Sequence, residues 1–392
     1  MNKTNKQPQR TCPLCLAPLS EPIFKSDLGV VITSLCDVLP GIHEVNACGR
    51  CGHLSSPPLP NLTEYYKSGY QILVAAENED QLYSSSGGVP KYRFDYQLET
   101  LLNKVEVPHG AQVLDYGAAK GTTLKRLFER RPDISPHLFD VSDIYRAFWD
   151  RFCPAERTAI NSLPAEWDGR FDLVLSFYAL EHVAEPRSFL NTVHRLLKPN
   201  GTAYIIVPDV FRNIGDFLVA DHVNHFTKVS LENACRSLGF KEFEVDNSTH
   251  SGAFILTATA GDRQANQTLD GDAVEKAIVN AKQLSEHWST FATRLRDFEK
   301  CHLDVGSWAV YGSGFYGTLT TICLNRPEAV TCFLDQNPHR WTKTLLDRPI
   351  LPPESMPINV SGLYVGLNPA SARSEIAKLD TLMNRKLAVF YP

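Results

Sequence analysis

The segment Ala220–Phe226 carries an aspartate and two histidines that are suited to proton transfer. A histidine titrates near neutral pH and is the usual general base, and an adjacent carboxylate can orient the ring or raise its pKa. Another histidine follows a predicted strand, where we expect it to face the same cleft. A structural hydrogen-bonding role is the alternative for each histidine taken alone. The candidate catalytic residues are His222, Asp221, His182 and His225.

Four cysteines form two pairs, each with two residues between the thiols. Two thiolates at this spacing reach one ion from a turn, and two such pairs complete a tetrahedral sulfur site suited to Zn²⁺. We therefore predict a structural zinc in an elaborated, ribbon-like domain. Its predicted ligands are Cys12, Cys15, Cys48 and Cys51. The nearby side chains that rank below them as substitute ligands are Cys36, His43 and His53.

A zinc ribbon can bind nucleic acid, but the charge of this one argues against that partner. Between Cys15 and Cys48 the only basic side chain is Lys25, whereas four acids lie in the same segment. Phosphate contacts need Lys and Arg. The whole chain of 392 residues has a net charge of -5, so it produces no global field that attracts nucleic acid or an anionic membrane. We expect no nucleic-acid partner.

The stretch Gln112–Leu127 has the pattern of a cofactor-binding loop. An apolar, partly β-branched start, a glycine turn and helical spacing of leucines predict a strand, a tight loop and a helix. Glycines let the backbone approach a ligand, and the start of a helix offers unpaired N–H groups and a positive dipole end. A nucleotide-like cofactor fits this pattern. The alternative is an ordinary strand–helix turn of a doubly wound protein.

Strands alternate with helices after this loop, with apolar segments at His137–Phe139, Phe171–Phe177 and Thr202–Val207 and a helical segment at Ser188–Leu197. Such alternation predicts a parallel sheet covered on both faces, with ligands at the carboxyl ends of its strands. The polar residues at those ends are Asp115, Asp140, Ser176 and Asp209. Asp140 lies roughly 25 residues after Asp115, close to the spacing of a ribose-binding acid.

The remaining chain divides into further units. A connector with a group of tyrosines and the loop Ser84–Gly88 is predicted as a flap or a surface linker, and a long helical stripe spans Ala273–Leu303. A second α/β unit begins with a Gly312-x-Gly314-x-x-Gly317 fingerprint and an acid at Asp335. The fingerprint predicts a dinucleotide site, and an accessory domain without a dinucleotide is the favoured alternative. The predicted boundaries are 1–60, 61–90, 91–262, 263–305 and 306–392.

The core resembles the class I S-adenosylmethionine-dependent methyltransferases. The resemblance rests on Val113–Gly117, Phe171–Leu175, Glu181–Val183 and the turn Leu196–Gly201. It implies that Asp140 holds the ribose and that Asn161 or Ser162 lies near the adenine. Ala119 departs from the pattern, because glycine is commoner there in the family. The implied cofactor-binding residues are Asp115, Gly117, Ala119, Gly121, Asp140, Asn161, Ser176 and Tyr178.

The three-part layout resembles the nucleotide-sugar C-methyltransferases, including Tyr311–Gly314, Asp335–Pro338 and Arg348–Pro352. This resemblance implies a zinc-binding domain, a Rossmann-like methyltransferase core and a C-terminal Rossmann-like domain that helps hold a nucleotide-linked keto-sugar. The catalytic tyrosine-His-Glu-His run of that family falls on Val219–His222, so the tyrosine is missing. We expect His222 to be the general base. The alternatives are O- or N-methylation of another small molecule or RNA, and a non-catalytic binding protein.

The amino terminus, Met1–Arg10, is polar and basic and has no apolar core of a signal peptide. No apolar run approaches the roughly 20 residues of a spanning helix. We therefore expect a cytoplasmic protein without a membrane partner, in which the ten cysteines stay reduced. The sequence specifies no oligomeric state.

Overall fold

The structure, a computed structural model, describes residues 10–72, 77, 79–84, 90–261 and 269–392. Most of the predicted serine–glycine loop, Ser85–Gly88, lies outside the described residues, and so does the predicted boundary at 262–263. The described residues form a small amino-terminal sheet, a central α/β unit and a carboxyl-terminal α/β unit. Among them, no helix combines the length and apolar character that crossing a membrane requires.

The central sheet has seven strands; the first five are parallel to one another and the last two pairings are antiparallel, so the sixth strand runs opposite to the others. Asp115 lies opposite Leu138 on one side and Leu175 on the other, so the strand ends align at one edge. In spatial order the strands are Thr158–Ile160, Ser135–Asp140, Gln112–Tyr116, Phe171–Phe177, Leu197–Pro208, Ala253–Ala260 and Phe240–Asp246. The predicted Rossmann-like α/β class is confirmed, and the antiparallel pair was not predicted.

Helices cover both faces of this sheet because each parallel strand has apolar side chains on both sides. Val113 packs in the core with Leu98, whereas its neighbour Leu114 packs in the opposite core with Leu190. Successive side chains of a strand point to opposite faces, which explains the two separate cores. The helices of this unit are Arg93–Lys104, Thr122–Arg130, Arg146–Trp149, Pro186–Leu196 and Lys228–Leu238.

The amino-terminal sheet is antiparallel and takes its last strand from a distant part of the chain. Its strands, in spatial order, are Phe24–Lys25, Glu44–Ala47, Leu54–Ser55 and Asn224–His225. A separate hairpin joins Val30–Ile32 to Val38–Pro40. The second half of the predicted catalytic segment is therefore a strand of the amino-terminal sheet.

The connector contains a helical turn at Leu62–Glu64, a π-helical turn at Tyr65–Gly69 and a strand pair, Leu82–Ser84 with Lys91–Tyr92. The side chain of Lys120 donates to the backbone carbonyls of Glu77 and Glu79. These bonds attach the connector to the loop between the strand Gln112–Tyr116 and the helix Thr122–Arg130. The connector thus lies across the carboxyl edge of the central sheet.

The carboxyl-terminal unit is a six-stranded sheet that is parallel except for its first pair. Its strands are Thr344–Leu345, Arg348–Leu351, Val330–Leu334, Trp308–Tyr311, Gly362–Val365 and Ala388–Phe390. Its helices are Phe315–Cys323, Pro369–Ile376 and Asp380–Met383, and the long helix Gly271–Cys301 packs beside it.

Internal packing accounts for two glycines of the fingerprint in this unit, Gly312 and Gly317. A Cβ atom at Gly317 would lie 2.0 Å from the carbonyl oxygen of Gly312. The carboxylate of Asp335 accepts hydrogen bonds from the N–H and hydroxyl of Ser313, at 3.1 and 2.5 Å, and from the N–H of Asn337. These two glycines and the acid therefore have structural roles that suit the accessory interpretation.

Candidate functional site

A cavity of about 1470 Å³ runs along the carboxyl edge of the central sheet, under the connector and up to the carboxyl-terminal unit. Parallel strands place their carboxyl ends at this edge, which is where open α/β sheets bind ligands. The sequence-predicted residues that line the cavity are Asp115, Gly117, Ala119, Asp140, Asn161, Tyr178, His182 and His222.

The glycine loop bends tightly at one end of the cavity. Gly117 has a φ of 81°, and a Cβ atom there would lie 2.7 Å from the Cβ of Ala179. Ala119 has a φ of 44°, in a region that disfavours side chains, which explains why glycine suits this position. The indole N–H of Trp149 donates to the Ala119 carbonyl at 2.7 Å and holds the turn in place. Gly121 begins the following helix and packs against Leu138.

Asp140 joins this loop to the neighbouring strand end. Its carboxylate accepts from the N–H of Ala119 at 2.8 Å and from the N–H of Ser142 at 3.1 Å. Its carbonyl accepts from the N–H of Asn161 at 3.0 Å. A carboxylate has about four acceptor sites, so Asp140 retains capacity for the hydroxyls of a ligand.

Two ionisable groups near the glycine loop have side-chain atoms without a hydrogen-bond partner among the described residues. Asp115 is buried, and its Oδ1 lacks a hydrogen-bond partner among the described residues. Burial and the charge of Asp140 raise the pKa of Asp115 well above its usual range. The Nε of Arg93 is also buried and unpartnered in the part of the chain that the structure describes. Buried polar atoms normally have hydrogen-bond partners. A ligand could supply them here, with a donor for the Asp115 oxygen and an acidic group for Arg93.

His222 pairs with Asp216, not with the predicted Asp221. The Nδ1 of His222 lies 2.6 Å from the Oδ1 of Asp216, in the 3-10 helix Ile214–Leu218. Burial lowers the pKa of His222, but the hydrogen bond to Asp216 and the surrounding carboxyl charges raise it to about 9. The other ring nitrogen, Nε2, remains for the cavity. The dyad resembles the His–Asp pair of a general base held in one tautomer.

The predicted contact between the Asp221 carboxylate and His222 is not observed, because this carboxylate is engaged elsewhere, although its charge contributes to the raised pKa of His222. Its two oxygens accept from the N–H and the hydroxyl of Ser34, both at 2.6 Å. Its carbonyl accepts from the hydroxyl of Tyr66 at 2.9 Å. Asp221 is fully buried, and its contacts hold Ser34 and Tyr66 in place.

His182 lies beside His222, with the two rings 4.6 Å apart at their centroids. The hydroxyl of Tyr66 is 2.7 Å from the Nδ1 of His182, and the ring of Tyr70 is also adjacent. Burial and the charge of His222 lower the pKa of His182 to about 4. Glu181 completes the group: it is 1% exposed, and burial raises its pKa to about 8.

Sequence reasoning missed three of these residues as functional groups. Tyr66 belongs to a tyrosine group that the sequence shows, but its contact with His182 depends on how the connector folds. Glu181 stands next to His182 and was noticed only as part of a family motif. Asp216 has no signal in the sequence, because its helix turns back onto His222 only in three dimensions.

Four predicted site residues do not line the cavity: Gly121 and Asp221, described above, and His225 and Ser176. His225 is fully buried and contacts Ser56 through Nε2 at 2.8 Å and Asp216 through Nδ1 at 3.1 Å. It pairs as a strand residue with Leu54, so it has a structural role. The structure therefore does not bring His225 to the cavity that His182 and His222 line. Ser176 is fully buried inside the central sheet and does not line the cavity.

The four paired cysteines form one cluster, with their sulfur atoms all within 4.8 Å of one another. This arrangement suits a tetrahedral thiolate site. The substitute ligands do not join the cluster: His43 contacts the carbonyl of Phe217, and His53 contacts Asn224. Cys12, Cys48 and Cys51 pack in one apolar cluster with Phe226 and Leu231 of the central unit.

Residues 91–245 match a family model described as a methyltransferase domain. The ubiquinone biosynthesis O-methyltransferase of Xanthomonas campestris pv. campestris strain B100 is 30% identical over 114 residues, 28% of this chain and 47% of that protein. The enzyme of the same name from Azotobacter vinelandii is 36% identical over 64 residues, 16% of this chain and 27% of that protein. The matched part thus spans less than half the length of these relatives.

Among solved structures, human N-acetylserotonin methyltransferase in complex with S-adenosylmethionine is similar to this chain with a TM-score of 0.34. It is 17% identical, and the alignment covers 42% of this chain and 52% of the human one. The family match and the topology of the central sheet agree. The central unit has the Rossmann-like fold of a methyltransferase domain.

Proposed function

We propose that this chain is an S-adenosylmethionine-dependent methyltransferase that acts on a nucleotide-linked sugar or a related carrier-linked metabolite. The match of residues 91–245 to a methyltransferase domain supports the reaction class. The residues of the cavity fit the cofactor: Asp140 suits the ribose hydroxyls, the unpartnered Asp115 oxygen suits the amino group, and Arg93 suits the carboxylate. When bound, the cofactor supplies an electrophilic methyl group.

The observation that carries the substrate proposal is the extent of the cavity. It continues from the glycine loop past His182 and His222 to Arg212 and to the start of the helix Pro369–Ile376 in the carboxyl-terminal unit. A helix N-terminus and an arginine favour an anionic group. A sugar joined to a nucleotide by a diphosphate has this length and charge.

In the proposed mechanism, His222 removes the proton beside a ketone of the acceptor through Nε2. Asp216 holds the ring through Nδ1 and stabilises the imidazolium that forms. Because the pKa of His222 is about 9, the free ring carries a proton at neutral pH. A cationic ligand in the cavity lowers this pKa by charge repulsion and favours the neutral base. His182 is placed to donate from Nε2 to the enolate oxygen when its Nδ1 accepts from the hydroxyl of Tyr66.

The test combines labelled S-adenosylmethionine with a nucleotide-linked keto-sugar in deuterated water. We expect methyl transfer together with exchange of the proton beside the ketone. In His222→Ala the rate should fall by about 10²–10⁴-fold while cofactor affinity stays nearly unchanged. The control His109→Ala, at an exposed position, should behave as wild type. Loss of cofactor binding in His222→Ala without a separate rate defect would contradict the base assignment.

The second candidate is O-methylation of a small molecule, which is favoured by the similarity to proteins named ubiquinone biosynthesis O-methyltransferase. The same His222–Asp216 pair would remove the proton of a hydroxyl group. Identification of the methylated atom by mass spectrometry and NMR separates the two candidates. A methyl group on oxygen, formed without exchange at carbon, would replace the keto-sugar proposal.

We also propose that Cys12, Cys15, Cys48 and Cys51 hold a structural Zn²⁺. Support comes from the convergence of four sulfur atoms and from their packing against the central unit. Such a site contributes to the stability of a domain that has little core of its own. We expect one zinc per chain at this position by elemental analysis, and its loss in Cys48→Ser. Equal zinc content in both proteins would refute the assignment.

A further inference from the structure

Glu181, His182 and His222 form a second group of potential metal ligands, inside the cavity and apart from the cysteines. Each offers one ligand atom, and these atoms lie within 4.8 Å of one another. Neither carboxyl oxygen of Glu181 has a hydrogen-bond partner among the described residues, although the side chain is almost completely buried. A buried polar group without a partner costs free energy unless a ligand satisfies it.

The groups behind the two rings have the arrangement that metal-binding histidines usually have. The Nδ1 of His222 contacts the carboxylate of Asp216 at 2.6 Å, and the Nδ1 of His182 lies 3.1 Å from the carbonyl oxygen of Asp221. A ligating histidine commonly uses its second nitrogen for such a carboxylate or carbonyl, which fixes the ring and its tautomer. Both Nε2 atoms are then left for a ligand.

The local charge also favours a cation. Besides Glu181, the buried carboxyl groups of Asp216 and Asp221 lie beside the two rings, the latter with an oxygen 3.7 Å from His182. Two imidazoles and one carboxylate suit a divalent transition metal such as Co²⁺, Ni²⁺ or Zn²⁺, whereas Mg²⁺ prefers oxygen ligands. The site opens into the cavity, so it leaves coordination positions free.

We propose that Glu181, His182 and His222 bind a divalent transition-metal cation, and that this cation inhibits methyl transfer. The inhibition rests on the proposed function, in which the Nε2 lone pair of His222 accepts the substrate proton. A coordinated Nε2 has no free lone pair, so occupancy by the metal and action as a base exclude each other. The cation also fills the position that the reacting part of the acceptor requires.

The binding test uses the full-length protein with its cysteine cluster already loaded with zinc. Co²⁺ is titrated and followed by equilibrium dialysis and visible absorption. We expect one additional Co²⁺ per chain, with weak d–d bands and without the strong charge-transfer bands of a thiolate site. Glu181→Gln should weaken this binding by about tenfold or more. The matched control Glu185→Gln changes an exposed glutamate four residues away and should leave the affinity unchanged.

The absence of an additional Co²⁺, or equal affinity in Glu181→Gln and wild type, would overturn the metal site. Should Glu181→Gln fail to fold, His182→Gln provides the second variant with the same expected loss. This binding test needs neither cofactor nor acceptor, so its outcome is independent of whether the proposed reaction occurs. In the activity assay, Co²⁺ should slow the wild type and leave the rate of Glu181→Gln unchanged relative to its own metal-free rate. Equal inhibition of both proteins would overturn the inhibitory role.

Discussion

At the scale of single residues, the chemistry of the cavity depends on which carboxylate contacts which histidine. Asp216 bonds both His222 and His225, and it is fully buried between them. Its hydrogen bonds to the two rings outweigh the effect of burial and hold its pKa well below the usual range. Asp216 therefore stays ionised, and it supplies the charge that raises the pKa of His222.

Replacement of Asp216 should change the pH dependence of the reaction. In wild type, kcat/KM should rise with pH and level off above about 9, where the free His222 is neutral. Asp216→Asn removes the main interactions that raise this pKa, so the inflection should move down by at least one pH unit and the maximal rate should fall about tenfold or more. Asp221→Asn is the control, with a smaller shift. An unchanged inflection in Asp216→Asn would refute the role of the dyad.

The backbone strain at Ala119 makes a second prediction at this scale. A side chain in the left-handed region costs about 1–2 kcal/mol. A glycine removes this strain, but its greater freedom in the unfolded chain cancels part of the gain in stability. Ala119→Gly should therefore stabilise the protein by about 0.5 kcal/mol in urea unfolding, without weaker cofactor binding. Ala118→Gly, at a neighbouring residue without a positive φ, should destabilise it by a similar amount. Destabilisation by both changes would contradict the strain argument.

At the scale of elements, the two-residue strand Asn224–His225 connects the amino-terminal sheet to the turn that carries Glu181 and His182. Its backbone pairs with Leu54–Ser55. The side-chain nitrogen of Asn224 donates to the backbone carbonyl of Val183 at 2.7 Å, and its side-chain oxygen lies 3.0 Å from the Nε2 of His53. This element thus holds the turn that carries Glu181 and His182 against the amino-terminal sheet.

Removal of the Asn224 side chain should loosen this connection. Asn224→Ala leaves buried groups on both sides without a partner, which should cost about 2 kcal/mol or more in the free energy of unfolding. We also expect a lower kcat, because the turn that carries His182 loses its hydrogen bond from Asn224. Urea denaturation and steady-state kinetics measure both effects. Asn359→Ala, an exposed control, should stay within about 0.5 kcal/mol of wild type, and a similar result for Asn224→Ala would refute the connecting role.

At the scale of the whole molecule, buried neutral histidines occur in both the amino-terminal and the central units. Burial lowers the pKa of each of them to about 4. In the unfolded chain the same groups titrate near 6.5. They are His43, His53, His137, His182 and His250.

These histidines predict loss of stability in weak acid. Between about pH 6.5 and 4 the unfolded chain binds more protons at these sites, so the unfolding free energy falls as pH falls, by roughly 1.4 kcal/mol per pH unit for each excess proton. Glu181, with its raised pKa of about 8, binds its proton in the folded state and offsets part of this loss. Urea midpoints from pH 7 to 5 measure the effect, and a constant midpoint would contradict it.

The order of strands and helices in the central unit, and the long helix that follows it, could be predicted from the sequence. The strand Phe171–Phe177 has the predicted bounds, and the helix predicted at Ala273–Leu303 is observed at Gly271–Cys301. The strand Asn224–His225 was not predicted, because two residues carry too little periodicity to indicate a strand. Its formation depends on the distant strand Leu54–Ser55, a pairing that local patterns do not encode.

The sequence by itself determined the glycine loop, the position of Asp140 at the next strand end and the two cysteine pairs, because each depends on spacing within a short segment. Only the tertiary structure decided that Asp216 serves His222, that Tyr66 reaches His182 and that His225 is buried. These contacts join the connector, the loop after the fourth sheet strand and the 3-10 helix. Their distances depend on how the segments meet at the carboxyl edge of the sheet, which residue spacing does not fix.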